Sequence, residues 1–165
     1  MLPEKLVDVY RGDLVESSHY GHVVISNSLG EILAYWGNPD ALIYPRSSCK
    51  IIQALPLLET GSAKQFSLGT KHLALACASH SGGEIHLNVA KDWLQKIELN
   101  EKDLLCGCHL PYDKTQTKKL KKNGENPSQL HNNCSGKHLS FLTISKTIFH
   151  NNDYKSNYID INHPV

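Results

Sequence analysis

A serine and a lysine lie three residues apart in the segment Pro45-Arg46-Ser47-Ser48-Cys49-Lys50. On a helix, residues at i and i+3 share a face, so the Ser47 hydroxyl and the Lys50 amine can meet. A serine hydroxyl becomes a strong nucleophile when a base accepts its proton, and a desolvated lysine can be that base. The alternative is that Ser47 or Ser48 only caps the helix while Lys50 extends into solvent.

A second group of hydroxyls follows the apolar run at residues 73–78, in Ala78-Ser79-His80-Ser81-Gly82-Gly83. Loops that follow buried elements often carry binding and catalytic residues, which makes Ser79 a second candidate for the chemistry. The alternative is an ordinary turn whose polar residues cap the next helix.

The third segment, His131-Asn132-Asn133-Cys134-Ser135-Gly136-Lys137-His138, concentrates polar and metal-binding groups just before an amphipathic helix. The amino terminus of that helix favours a Cys134 thiolate, which suits a metal ligand, and Lys137 shares its face. Alternatively, Asn132 or Asn133 caps the helix and Cys134 is a small buried residue. A further segment, Cys106-Gly107-Cys108-His109, has no second cysteine pair at zinc-finger spacing and is interpreted as structural.

Periodicity indicates the elements that must position these three segments. Two β-rich runs on either side of residues 27–30 predict a hairpin over residues 20–36. A helix is predicted over residues 47–59, with Pro56 kinking or interrupting it and Gly61 ending it. Its expected apolar stripe, with Lys50 in line, consists of Ile51, Ala54, Leu55 and Leu58.

Further along the chain, a helix is predicted to bury Val89, Ala90, Trp93, Leu94 and Ile97. Residues 112–129, rich in Lys, Asn, Gly and Pro, are predicted to form a solvated loop. A last helix should begin near Cys134, carry Lys137, Phe141, Ile144 and Ile148 on one stripe, and end at residues 151–153. Asn162-His163-Pro164 is typical of a further helix start.

The composition favours one globular domain without strong electrostatic partners. The chain has 165 residues, of which 40% are hydrophobic, and a net charge of +1. That charge gives no field to attract nucleic acid or an acidic membrane. The five cysteines are odd in number and lie mostly in apolar segments, which is typical of reduced thiols. No run approaches the length of a membrane span, and a cytoplasmic protein is expected.

Taken in order, the three segments resemble the signature blocks of the thermolabile-type, zinc-dependent L-asparaginase family. The resemblance extends through Gln53-Ala54-Leu55-Pro56-Leu57. It implies an α/β fold of the α+β type, similar to serine β-lactamases and penicillin-binding proteins. It also implies that residues 1–165 are the amino-terminal half of an asparaginase domain, with the carboxy-terminal half absent.

The resemblance further implies roles for individual residues. Ser47 would be the nucleophile that attacks the side-chain amide of L-asparagine, with Lys50 as its activating partner and Ser79 as part of a second Ser-Lys pair. The substrate site would include Arg46 and Asn133. A zinc ion would be held by Cys134 and Lys137, and the products would be L-aspartate and ammonia.

In such enzymes the second lysine and a further zinc-binding cysteine come from the second half. We therefore expect a truncated form that is inactive alone, has an incomplete zinc ligand set, and needs a complementary carboxy-terminal chain or a second copy in a homodimer. Two alternatives are a different serine amidase or β-lactam-interacting acyl enzyme, and a non-catalytic remnant or subunit.

Overall fold

The fold comes from a computed structural model that describes residues 1–149 and 154–164. The chain divides into two compact units, Met1–Tyr44 and Pro45–Val165. The first unit contains strands and the second contains helices, which agrees with the mixed α+β class expected from the sequence.

The first unit consists of two antiparallel hairpins, each forming its own two-stranded sheet. Strands β1 (Glu4–Arg11) and β2 (Leu14–Gly21) meet at a two-residue turn, where Gly12 takes the positive φ of +62° that such turns require. Strands β3 (Val23–Ser26) and β4 (Ile32–Trp36) form the second hairpin. The hairpin predicted over residues 20–36 is thus confirmed, except that residues 20 and 21 end β2.

The second unit is helical. Its helices are α1 (Lys50–Glu59), α2 (Ser62–Gln65), α3 (Thr70–Cys77), α4 (Glu84–Lys96), α5 (Lys114–Asn123), α6 (Ser135–Ile148) and α7 (Tyr154–Asn157). Short 3-10 turns lie at Arg46–Cys49, Glu101–Asp103 and Gln129–His131. Within the described ranges, no helix combines the length and apolarity needed to cross a bilayer.

Helix α6 lies at the centre of the core, with α1, α3 and α4 packed around it. Trp93 of α4 is fully buried, and its indole donates a hydrogen bond of 3.0 Å to Thr143 Oγ1 of α6. The buried polar end of this large side chain is therefore satisfied, as a tightly packed core requires.

Helices α3 and α6 approach each other closely at Gly136. A Cβ atom added to Gly136 would lie 2.1 Å from the carbonyl oxygen of Leu75. Only glycine fits this position, because any side chain would overlap the backbone of α3. The contact joins the helix that precedes Ser79 to the helix that begins after Cys134.

Helix α1 differs from the prediction in its buried face. The structure buries Lys50, Ala54 and Leu57, whereas the predicted stripe residues Ile51, Leu55 and Leu58 are exposed. The prediction is therefore confirmed for Lys50 and Ala54 and wrong for the other three, because the apolar stem of Lys50 takes up part of the core-facing side. Pro56 does not interrupt the helix, which ends at Glu59 with Gly61 in the left-handed region just beyond.

The prediction of a solvated loop over residues 112–129 is wrong, because helix α5 occupies its middle. Asp113 caps this helix by accepting a hydrogen bond from the Gln116 amide at 2.7 Å, and Gly124 ends it with φ +64°. Leu120 is buried, while the lysines, which are good helix formers, face solvent.

The two remaining helix predictions are confirmed by α4 and α6. Helix α4 buries Ala90, Trp93 and Leu94, and α6 begins directly after Cys134. Helix α6 ends at Ile148, and the predicted stop at residues 151–153 lies outside the described residues. Where the sequence predicted a further helix start at residues 162–164, the structure has a turn at residues 161–162. Residue 165, which follows Pro164, lies outside the described residues.

Candidate active site

The amine of Lys50 is the centre of the candidate site. Its side chain is buried, with 3% of its surface exposed. The Nζ atom donates hydrogen bonds to the Ala78 carbonyl at 2.6 Å and to the Ser79 hydroxyl at 2.9 Å. The first and second sequence segments therefore meet in the folded unit, through the first residue of α1 and the residues that follow α3.

Ser79 lies between Ser47 and Lys50. Its Oγ lies 2.9 Å from Ser47 Oγ, which completes a hydrogen-bonded chain from Ser47 through Ser79 to Lys50. The i, i+3 spacing led us to expect that Lys50 would meet Ser47 directly, but its described hydrogen bonds go to the Ser79 loop. Because hydroxyl hydrogens rotate, this chain can carry a proton in either direction.

The two neighbouring serines have different environments. Ser48 Oγ donates to the Pro45 carbonyl and so stabilises the 3-10 turn, whereas Ser47 Oγ is bonded to Ser79. Neither serine makes a side-chain cap hydrogen bond to the 3-10 turn or to α1, so the capping alternative is wrong. Arg46, just before them, holds φ at +49°, a conformation that costs a non-glycine residue on the order of 1–3 kcal/mol. Such strain next to a reactive side chain is typical of functional turns.

An open depression of about 380 Å³ lies against these groups. Its lining consists of Arg46, Ser47, Cys49, Lys50, Gln53, Cys134 and Lys137. Besides the Lys50 amine, the lining contains the cationic side chains of Arg46 and Lys137 and no carboxylate from the described residues. The depression therefore favours a ligand that carries a negative charge close to Ser47.

Gln53 is a lining residue that the sequence reasoning did not single out. It lies one turn beyond Lys50 on α1, and its side-chain amide makes no hydrogen bond within the described part of the chain. Its i+3 spacing from Lys50 was the signal that could have identified it. An unpartnered amide at this place can donate to or accept from a bound amide.

The third segment contributes Cys134 and Lys137 to the same depression. The side chain of Asn132, in contrast, forms hydrogen bonds with backbone groups. Asn132 Oδ1 accepts a hydrogen bond from the Cys134 amide at 2.8 Å, and its Nδ2 donates to the Cys106 carbonyl at 2.7 Å. Asn132 therefore forms a local turn just before α6, whose cap position is Cys134 without a side-chain cap bond, so the cap alternative is wrong; Cys134 faces the depression. Asn133 is not among the lining residues.

A zinc ion would find only part of its usual coordination here. Cys134 and Lys137 lie side by side at the start of α6, but no group of three or more His, Cys, Asp or Glu side chains with metal-binding geometry occurs in residues 1–149 and 154–164. Structural zinc takes about four protein ligands and catalytic zinc about three. The described residues therefore do not fit a zinc site by themselves.

Cys106 supports the structural interpretation of its segment. Burial raises the pKa of the Cys106 thiol to about 11, which opposes the thiolate that a metal would bind. Its Sγ instead lies 3.5 Å from the Gln129 carbonyl.

The comparison with known families agrees with this geometry. The sequence model of the family described as L-asparaginase II matches residues 7–165. The chain belongs to the L-asparaginase II family. No curated protein matches it at a significant level.

Membership in the L-asparaginase II family makes an amidohydrolase the expected class of enzyme. The matched region includes all three polar segments, at Ser47, Ser79 and Cys134. The structure adds that the first and third segments border one depression, and that Ser79 of the second is hydrogen-bonded to Ser47 and Lys50.

Proposed function

We propose that this chain carries the nucleophilic half-site of an asparaginase that hydrolyses L-asparagine to L-aspartate and ammonia. The observation that carries the proposal is the hydrogen-bonded chain from Ser47 through Ser79 to the buried Lys50 amine. A serine with a relay to an amine has the parts that covalent amide hydrolysis needs.

In the first step, Ser47 Oγ attacks the carbon of the substrate's side-chain amide and forms a C–O bond. The Ser47 proton passes to Ser79 Oγ, whose own proton passes to a neutral Lys50 amine. The tetrahedral intermediate then breaks its C–N bond, the leaving nitrogen takes the proton back along the same chain, and ammonia departs. A water molecule hydrolyses the resulting ester by the same relay, which releases aspartate and restores the Ser47 hydroxyl.

The depression also suits the substrate's carboxylate. Arg46 and Lys137 line it, and neither side chain makes an ion pair within the described residues. An arginine can bind a carboxylate through two parallel hydrogen bonds, so Arg46 is proposed to orient the α-carboxylate. Asn133 stays a predicted substrate-binding residue by the family resemblance, although it lies outside the lining.

Two features implied by the resemblance belong to the proposal. A serine just before a helix, with a lysine at the helix start, supports a fold related to serine β-lactamases. Zinc would be bound by Cys134 and Lys137 together with ligands that the described residues do not supply. A complementary carboxy-terminal chain or a second copy is the proposed source of those ligands.

The test is asparagine-dependent ammonia release by the chain, measured alone and with the carboxy-terminal half of a family member added. Ser47→Ala should abolish the release, whereas the neighbouring Ser48→Ala should retain it, since Ser48 bonds only the Pro45 carbonyl. Activity that survives in Ser47→Ala would refute the assignment of the nucleophile.

The remaining outcomes separate the alternative functions. Covalent labelling of Ser47 by a β-lactam without asparagine hydrolysis would favour a different acyl enzyme. A well-folded chain that releases no ammonia in either arm would favour a non-catalytic subunit. Zinc is tested separately by equilibrium dialysis with the metal, where Cys134→Ser should weaken binding and Cys108→Ser should not.

A further inference from the structure

His80 is buried beside Ser79, and nothing in the proposed chemistry uses it. Only 4% of its surface is exposed. Its Nδ1 accepts a hydrogen bond from the Gly82 amide at 3.1 Å, and its Nε2 lies 2.8 Å from the Ser135 hydroxyl. The imidazole therefore bridges the loop that carries Ser79 and the first residue of α6.

These partners define one tautomer of the ring. The Gly82 N–H can only donate, so Nδ1 must carry a lone pair and the proton must reside on Nε2. That proton is donated to Ser135 Oγ, whose own hydroxyl donates to the Leu130 carbonyl at 3.3 Å. A second proton on the ring would face the Gly82 N–H, so the geometry holds His80 neutral.

The surroundings of the ring favour the same neutral state. Burial is the main reason that the pKa of His80 is lowered to about 4. Four nearby side chains lower it further, namely His86, Lys50, His109 and His131. His86 of α4 stacks on the ring, with a centroid distance of 5.1 Å. Within residues 1–149 and 154–164, the ring nitrogens bond Gly82 and Ser135 and no carboxylate.

The backbone of residues 80 and 81 forms hydrogen bonds with two other segments of the chain. The His80 amide donates to the Asn133 carbonyl at 3.2 Å, and the Asp113 amide donates to the Ser81 carbonyl at 2.8 Å. Gly82 has φ +73°, and a Cβ atom there would lie 2.9 Å from the His131 carbonyl. The loop is therefore hydrogen-bonded to the segment before α6, and the buried His80 side chain adds a hydrogen bond to α6 itself.

The position of this loop decides the position of the Lys50 amine. Both described acceptors of Lys50 Nζ, the Ala78 carbonyl and Ser79 Oγ, belong to it. A shift of the loop would break the relay to Ser47, and a misplacement of about 1 Å can cost up to roughly a hundredfold in rate.

We propose that His80 is a positioning residue: its bridge from the Gly82 amide to Ser135 Oγ fixes the Ser79 loop so that Ser79 can relay between Ser47 and Lys50. This inference rests on the proposed function of Ser47. It assigns to His80 no contact with substrate and no proton transfer in the reaction.

The test measures covalent labelling of Ser47 by a fluorophosphonate probe, followed by mass spectrometry of the intact chain and of the peptide that contains Ser47. His80→Asn keeps an acceptor for the Gly82 amide but cannot reach Ser135. Ser135→Ala removes the other end of the same bridge. Each variant should lower the maximal labelling rate by about tenfold or more. The probe concentration that gives half the maximal rate should stay unchanged, because neither residue lines the depression.

A double variant and a matched control separate positioning from general stability. If the two residues act as one bridge, His80→Asn combined with Ser135→Ala should be no slower than either single variant. His72 is an equally buried histidine that accepts from the Gly69 amide and bonds Asp92. His72→Asn should lose a similar amount of stability in urea but label at the wild-type rate.

The outcomes distinguish this inference from the proposed function. Wild-type labelling with normal rates in His80→Asn and Ser135→Ala would overturn the positioning role only. Slow labelling in His72→Asn to the same extent would also overturn it, since lost stability would then account for the effect. No labelling of Ser47 in the wild-type chain would overturn the proposed function, and the role of His80 with it.

Discussion

The substitution Gly136→Ala tests the packing that holds the candidate site together. The added Cβ atom would lie 2.1 Å from the Leu75 carbonyl oxygen and 2.7 Å from its carbonyl carbon. Both atoms belong to the backbone of α3, so no side-chain rotation can relieve the overlap. To restore a normal contact distance, α3 and α6 must separate by roughly 1 Å or more.

Two opposing effects set the size of the stability change. Alanine has a higher helix propensity than glycine, which is worth at most about 1 kcal/mol in favour of the variant. Overpacking of a tight core costs about 1–3 kcal/mol and occasionally more. Because the obstacle at Gly136 is backbone, the cost lies at the upper end, and we expect a net loss of about 2 kcal/mol. For a chain of this size that loss lowers Tm by roughly 4–8 °C.

Urea unfolding followed by tryptophan fluorescence provides the assay, since Trp93 is fully buried in the same core. Gly69→Ala is the matched control, because a Cβ atom there meets nothing within 4 Å and its φ of −94° suits alanine. That control should change stability by less than about 1 kcal/mol. A Gly136→Ala variant as stable as the wild type would refute the close α3–α6 contact and the rigid link from Ser79 to α6.

Three further predictions concern stability. Tyr158→Phe should cost about 1 kcal/mol in thermal unfolding, because the Leu105 amide loses the hydroxyl of the buried Tyr158 as its acceptor; no loss would contradict that bond. Asp113→Ala removes the cap on the Gln116 amide and should cost about 1 kcal/mol in urea, whereas an unchanged midpoint would show the cap to be unimportant. The lowered pKa of His80 means that the unfolded chain binds more protons than the folded chain between pH of about 6.5 and 4, so urea midpoints should fall as the pH falls through that window. His80→Asn should reduce this slope without removing it, because burial also lowers the pKa of His138 to about 4, and an equal slope in both proteins would contradict the prediction.

Elements with a strong apolar period could be predicted from the sequence. Helix α4 and helix α6 were predicted because Trp93 and its neighbours recur at helical spacing and Cys134 follows a run of polar residues. Helix α5 was missed because its lysines suggested solvation, and one buried leucine gives too little periodicity. The first hairpin was missed because the side chains of β1 and β2 are mostly exposed, which leaves little alternation to detect.

The candidate site was predictable as three polar segments but not as a network. The sequence indicated Ser47 and Lys50 as a directly meeting pair and Ser79 in another segment, and nothing in their spacing could show that Ser79 would lie between the other two. Contacts between residues about thirty positions apart depend on how α1 and α3 pack on α6, which local patterns do not encode. His80 was passed over for the same reason, since both its role and its neutral state arise from partners such as Ser135.

The burial of Lys50 connects the error in α1 with the chemistry. A periodicity argument places apolar side chains on the inner face, and it rotated the helix so that Ile51 faced the core. The structure confirms the inward position of Lys50, which was predicted in line with the stripe, but it leaves Ile51 65% exposed, an arrangement that apolar burial alone would disfavour. A buried amine is tolerated only when acceptors meet it, and the Ala78 carbonyl and Ser79 hydroxyl do so. The orientation of α1 is therefore coupled to the Ser79 loop, so a change that moves this loop should also affect how α1 packs.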